Sequence, residues 1–401
     1  MNKVKLGEVL DVKRGASLSG DYYSESGEKI RLTLGNFDYP NGGFKENTSK
    51  SDIYFTGEVK PEFILKKGDI ITPLTEQVAG LLGETARIPE DDLYIQSGDV
   101  GLVIPNESKL DNKYAYYLLS SPLIKRQLGA AAQQTKIRHT SPDKIKDCEA
   151  WLPSLEYQKK AGELLDFINN KIKNNNKINA ELESMAKTIY DYWFLQFEFP
   201  NEDGKPYKSS GGKMVWNEEL KREIPEGWGV KVIEDFCRIF TGKKDVNQAL
   251  EAGEYKFFSC SPDYKYSNEM LHSGKAILVS GNGSYTGRTI FVNDAFDLYQ
   301  RTYACVSSTD KDILEYIYYS MLRVFTQKVG GGTHGSAIPY IVFDDIAKEP
   351  ILYNADIVEK YQNIVIPLQE KIIKNQRENE ELSSLRDFLL PMLMNGQVEF
   401  K

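Results

Sequence analysis

Apolar residues in two long segments recur at alternating spacings of four and three positions. The first seam runs Ala161, Leu165, Ile168, Ile172, Asn175, Asn179, Leu182, Ala186, Ile189, Trp193, and the second Val365, Leu368, Ile372, Asn375, Asn379, Leu382, Arg386, Leu389, Leu393. A heptad kept over this length predicts two coiled-coil helices. Each would reach about 40 residues, or about 60 Å at 1.5 Å per residue. Ahead of each segment the pattern changes to short apolar runs between Gly and polar turns, mixed with amphipathic stretches. That alternation predicts two globular units of short strands and helices, roughly 130–150 residues apiece. One stretch runs against local preference. Between Asn169 and Asn179 the first helix carries six asparagines, each costing roughly 0.5 kcal/mol or more relative to Ala.

The two halves repeat one another in order. Leu6, Val9, Val12 and Gly15 correspond to Ile233, Phe236, Ile239 and Gly242. The turns Gly68-Asp69 and Gly274-Lys275 each lead into a short apolar strand, a Gly-bearing loop and another strand. "YAYYLLSSPLIKRQLGAAAQQTKIRHTSPDKI" matches "YIYYSMLRVFTQKVGGGTHGSAIPYIVFDDI": an amphipathic helix, a small-residue loop, then a polar-aromatic stretch. Lys171, Ile172, Glu181, Leu182 and Ser184 recur as Lys371, Ile372, Glu381, Leu382 and Ser384. A period this long predicts duplicated domains and not a solenoid. The segment Phe199–Gly229 is rich in Gly, Pro, Ser and charge, as a boundary between halves should be. The expected fold is therefore α+β: two mixed α/β domains separated by two long helices, with a pseudo-twofold duplication. The expected boundaries are 1–153 and 230–354 for the domains, 154–197 and 355–401 for the helices with their tails, and 198–229 for the linker.

Both seams carry Asn at the same two places, and a buried Asn trades stability for register. An antiparallel pairing sets Asn175 against Asn379 and Asn179 against Asn375. It also sets Ile172 against Leu382, Leu182 against Ile372, and Leu165 against Leu389. Ile168 against Arg386 is the one poor match. Connectivity favours this direction, because a compact second unit returns the chain near where the first helix ends. The alternative is two helices packed on their own domains with the Asn facing water.

Composition narrows the function by exclusion. The chain has 401 residues, net charge −8, three His and four Cys. Each globular unit sums to about −2. An acidic balance argues against coating nucleic acid by bulk charge, though not against local basic loops. Cys148, Cys237, Cys260 and Cys305 show no CxxC spacing and fit free thiols in a reducing cytosol. No secretory signal and no run of 18 apolar residues is visible, so a cytoplasmic protein with no membrane partner is expected. No [DNS]PP[YFW] motif, Walker A sequence or HExxH is present. "SGNGS" is a lone GxG, and "EYK" at Glu254–Lys256 has no matching PD. Neither a catalytic site nor a metal site is expected.

Four stretches are distinctive: "NNKIKNNNKINAELESMAKTIYDYWF", "NEDGKPYKSSGGKMVWNEELKREIPEGW", "GGGTHGSAIPYI" and "LLPMLMNGQV". With them the whole chain resembles the specificity subunit of type I restriction–modification systems, the globular units matching in outline only. The resemblance implies two target-recognition domains, each reading one half of a split double-stranded DNA target, with the helices as a ruler that sets the gap. It implies two methyltransferase (M) subunits gripping the helices and endonuclease/translocase (R) subunits joining them. It also implies a non-catalytic chain with no cofactor, with S-adenosylmethionine, Mg and ATP on the partners. The competing readings are a DNA-modifying or DNA-cleaving enzyme with an unrecognised site, and a scaffold with no DNA role.

DNA reading needs donors for phosphates and planar polar groups for base edges. Lys125–Pro142 carries Lys125, Arg126, Lys136 and Arg138, with Gln133, Gln134 and His139 and no acid before Pro142. Its counterpart carries Lys328, Thr333, His334, Ser336 and Tyr340. Lys13 and Arg14, matched loosely by Lys243 and Lys244, and Asn282, Ser284, Tyr285 and Arg288 are secondary candidates. For each loop the alternative is an ordinary solvated loop. Tyr190, Tyr192, Trp193, Phe194 and Phe197 mark either a methyltransferase contact or helix-end packing.

Overall fold

Both heptad segments are helical, over Leu155–Tyr190 and Ala355–Met394, 36 and 40 residues long. The first continues into a π turn at Asp191–Leu195. The computed structural model describes residues 2–39, 42–76, 81–131, 138–328 and 340–400; of Arg138 and 326–328 only the backbone is described. The chain forms two units, Met1–Lys173 with Asn379–Lys401, and Asn174–Glu378. Each unit thus takes a globular portion and a piece of both helices.

In the first unit, strand Asn2–Lys5 pairs antiparallel with Glu149–Leu152. The next strand, Leu10–Arg14, edges a sheet whose order continues Val100–Pro105, Ile70–Pro73, Ala86–Arg87. Its alternate residues Leu10 and Val12 point inward, as a strand with one covered face requires. Short strands Tyr23–Ser24, Tyr54–Phe55, Ile30–Arg31 and Tyr94–Ile95 form a second sheet. The core gathers Leu6, Val12, Ile70, Val103, Tyr114 and Leu118 against Ala161, Leu165 and Leu393 of the helices. Leu165 is fully buried, worth about 1.5–3 kcal/mol.

The second unit repeats this plan. Gly229–Val232 pairs antiparallel with Pro350–Tyr353. A six-stranded sheet runs Cys237–Thr241, Thr302–Ser307, His272–Ser280, Thr289–Leu298, Tyr255–Phe258, Lys265–Ser267. Leu6 and Ile233 are both fully buried, each opening a 3-10 turn. Their N–H groups donate to the Cys148 and Glu349 carbonyls. Two sequence matches shift. Gly274-Lys275 lies inside strand His272–Ser280, not in a turn before it. The single helix Leu314–Lys328 corresponds to two in the first unit, Asn112–Leu119 and Pro122–Ala131, divided where Pro122 lacks an N–H to continue the first.

Tyr190, Trp193, Phe194 and Phe197 are buried in the second unit's core, with Tyr316 and Trp228. The aromatic row is therefore helix-end packing, with only Tyr192 exposed. All four cysteines are free. Burial pushes the Cys148 thiol up to about 11 and the Cys237 thiol to about 12, which leaves both unreactive.

Candidate nucleic-acid interface

At one end of each main sheet the chain forms the same set of backbone contacts. In the first unit the Leu74 N–H donates to the Asp99 carbonyl (2.8 Å) and the Thr140 N–H to the Leu74 carbonyl (2.9 Å). In the second, the Gly281 N–H donates to the Arg301 carbonyl (2.9 Å) and the Ile341 N–H to the Gly281 carbonyl (2.8 Å). Beside these, Ala16 bridges Ser97 in the first unit and Lys244 bridges Tyr299 in the second, both in parallel sense. His139 pairs with Thr75, and Tyr340 bridges Asn282, both antiparallel. The glycines explain the close approach. A Cβ on Gly15 would sit 2.3 Å from the Ser97 carbonyl oxygen, and one on Gly242 would sit 1.7 Å from that of Leu298. No side chain fits at either place.

Among the candidates, the platform holds the backbones of His139, Lys244, Asn282 and Tyr340. Lys13, Arg14, Arg126, His139, Lys243, Ser284, Tyr285 and Tyr340 are exposed. Arg14 ends its strand one residue before Gly15, whereas Lys243 follows Gly242, so the loose match of these basic pairs does not hold in register. Asn282 is half-buried, and the Cys260 thiol donates to its Oδ1 (3.2 Å). Three candidates are engaged internally. Lys244 Nζ meets Asp297 Oδ2 at 2.7 Å, Glu269 Oε2 at 2.9 Å and Ser267 Oγ at 2.8 Å. Burial opposes its charge, but those carboxylates outweigh burial and raise its pKa. Lys125 is ion-paired with Glu84. The Arg288 guanidinium donates to the Ser261 and Pro262 carbonyls (3.4 and 3.3 Å), and burial lowers its pKa. It ties the 259–263 loop to the 281–288 turn. Gln133, Gln134, Lys136, Thr333, His334 and Ser336 lie outside the described residues, as do the side chains of Arg138 and Lys328.

The helices pair antiparallel within each unit. In the second, Tyr361 Oη donates to the Ala186 carbonyl (3.1 Å), Asn375 Nδ2 to Asn179 Oδ1 (2.8 Å), and Asn175 Nδ2 to Glu378 Oε2 (2.8 Å). Asn175 and Asn375 are almost wholly buried. Glu378 is the residue before Asn379, the partner expected for Asn175. In the first unit, Leu165 packs in one core with Leu389 and Leu393. Arg386 escapes the poor match expected against Ile168, because its Nη1 donates to Asn169 Oδ1 (3.2 Å). Asn169 in turn donates to Tyr117 Oη (3.0 Å), which donates to Asp166 (2.7 Å), the ion-pair partner of Arg87.

The same backbone platform, with exposed polar and basic side chains beside it, occurs twice in one α+β chain, which makes the protein a duplicated two-unit module. Among the described residues no group of His, Cys, Asp and Glu could hold a metal ion. None of their helices is long and apolar enough to cross a membrane. The chain belongs to the type I restriction–modification DNA specificity family, whose model matches residues 1–184 and 225–376. That family's members are specificity subunits and not catalysts. A relative is the type I restriction enzyme MjaIX specificity subunit of Methanocaldococcus jannaschii, 27% identical over 74% of this chain and 71% of its own length. Another is the HindI specificity subunit of Haemophilus influenzae, 22% identical over 83% and 87%. The fold is shared with the type I restriction–modification S subunit from M. genitalium, with TM-score 0.61 and 15% identity, covering 98% of this chain and 95% of that one.

Proposed function

We propose that this chain is the DNA-reading subunit of a type I complex, in which domain 1–153 reads one half of a split double-stranded target and domain 230–354 the other. The observation that carries this is the platform whose central backbone bonds, at Leu74 and at Gly281, recur in both units. A duplicated reader suits a bipartite site, and antiparallel helices suit a fixed interval between its halves. Two methyltransferase subunits dock on the helix pair. Support comes from exposed apolar residues that neither core uses: Phe167, Leu385 and Phe388 in the first unit, Ile178, Met185 and Ile364 in the second. Phe167 and Phe388 each lie two residues beyond the Asn169–Arg386 bond, at one level of the pair. Nuclease–translocase subunits join that complex, S-adenosylmethionine, Mg and ATP are held by the partners, and the assembly works in the cytoplasm.

The test is methylome sequencing of the host with and without this gene. The expected result is a methylated motif of two fixed halves and a constant gap, lost with the gene. Loss of no methylation overturns the reading.

A further inference from the structure

Arg301 was not among the sequence candidates, yet the platform sets it at a telling place. Its carbonyl accepts from the Gly281 N–H (2.9 Å), and the Cys260 sulfur lies 3.4 Å from the same oxygen, so its backbone sits between two neighbouring loops. Its side chain is exposed, and among the described residues the guanidinium makes no hydrogen bond or ion pair. It lines a recess of about 180 Å³ with Gly281, Gln300, Tyr303 and Ile341. Gln300 is itself steadied by donation from its Nε2 to Asp245 Oδ2 (3.2 Å). The equivalent position in the first unit, defined by the Leu74–Asp99 bond, is Asp99, also exposed.

That reversal of charge decides between two roles. Both halves of a DNA site present the same negative phosphates, so a phosphate-binding position can be neutral in one copy but not acidic. Base edges differ between half-sites, and only they reward opposite groups at one position. An Arg fork matches the N7 and O6 acceptors of guanine, whereas a carboxylate accepts from the cytosine amino group.

We propose that this turn position is a base-reading position in both units, with Arg301 reading a guanine and Asp99 a cytosine amino group in the opposite half-site. The inference rests on the function proposed above. Its test uses the complex of this chain with its methyltransferase subunits and S-adenosylmethionine, acting on a plasmid library of randomised sequence read for methylated adenine. Wild type gives the reference motif; a wild type without a bipartite motif sinks the functional reading itself. Given that motif, Arg301→Ala is expected to relax one guanine position of one half-site by roughly 10- to 100-fold, leaving the other half-site and the gap unchanged. Arg301→Lys is expected to relax the same position, because an ammonium lacks the two-pronged fork. Asp99→Asn is expected to relax a position in the other half only. Wild-type discrimination in Arg301→Lys, or a uniform loss across all positions in Arg301→Ala, would make Arg301 a phosphate contact and overturn the proposal. Since the exposed guanidinium makes no hydrogen bond or ion pair among the described residues, circular dichroism of both variants should match wild type.

Discussion

Lys243 and Lys244 are neighbours of the same type with opposite expected roles. Lys244 neutralises the buried Asp297, so Lys244→Met leaves a buried charge unpaired. A loss of about 3–5 kcal/mol is expected in urea unfolding. Lys243 is exposed, so Lys243→Ala should alter stability by under about 0.5 kcal/mol. It should instead weaken DNA binding at all sequences and lower the salt slope by about 1, measured by affinity titration in the assembled complex. Nothing in "GKKD" distinguishes the two, because the deciding partner Asp297 lies far along the chain. The same holds for Lys125, whose partner Glu84 comes from a distant turn. Gly15 and Gly242, by contrast, were legible as a matched pair, since the repeat showed two glycines where an apolar strand ends. Arg301 left no local trace: it stands alone in a turn, and only strand register equates it with Asp99.

The long helices were legible in extent and direction, because heptad spacing and a compact insert between them suffice for both. One partnership of the seam asparagines was legible directly. Asn179 and Asn375 bond to each other, while Asn175 reaches a Glu378 carboxylate that the seam pattern counts as outside it. Periodicity names the stripe but not how far a neighbouring long side chain reaches across it. Asn375 Oδ1 is buried and has no partner among the described residues, a desolvation cost of about 1–3 kcal/mol. Replacing Asn179 and Asn375 together by Leu is therefore expected to raise the melting temperature by about 2–6 °C in a scanning calorimeter. The same change removes a polar register mark, so methylation mapping should show a mixture of gap lengths. A lowered melting temperature would show that the amide pair stabilises more than it costs.

At the scale of the whole chain, the duplication turns one reading device into two. If the helices set the interval, deleting one heptad from each removes about 10 Å at 1.5 Å per residue. The gap in the methylated motif should shorten by about three base pairs with both half-sites intact. Altered half-sites with an unaltered gap would contradict the ruler. The acidic net charge of −8 leaves little counterion release to drive binding. The isolated chain is accordingly expected to bind DNA weakly at physiological salt, with affinity gained when methyltransferase subunits are added.

The division of the chain also sets a timetable for its synthesis. The second unit is one uninterrupted stretch, Asn174–Glu378, while the first needs Asn379–Lys401 as well as everything up to Lys173. Leu393, Met394, Val398 and Phe400 pack against the core that begins with Leu6. A ribosome must therefore add roughly 200 residues after Lys173 before that core can close, about 10–40 s at 5–20 residues per second. The half begun first is finished last, its apolar face open meanwhile to chaperones and proteases. A nonsense codon near residue 393 would thus harm the amino-terminal reader and spare the one encoded beside it.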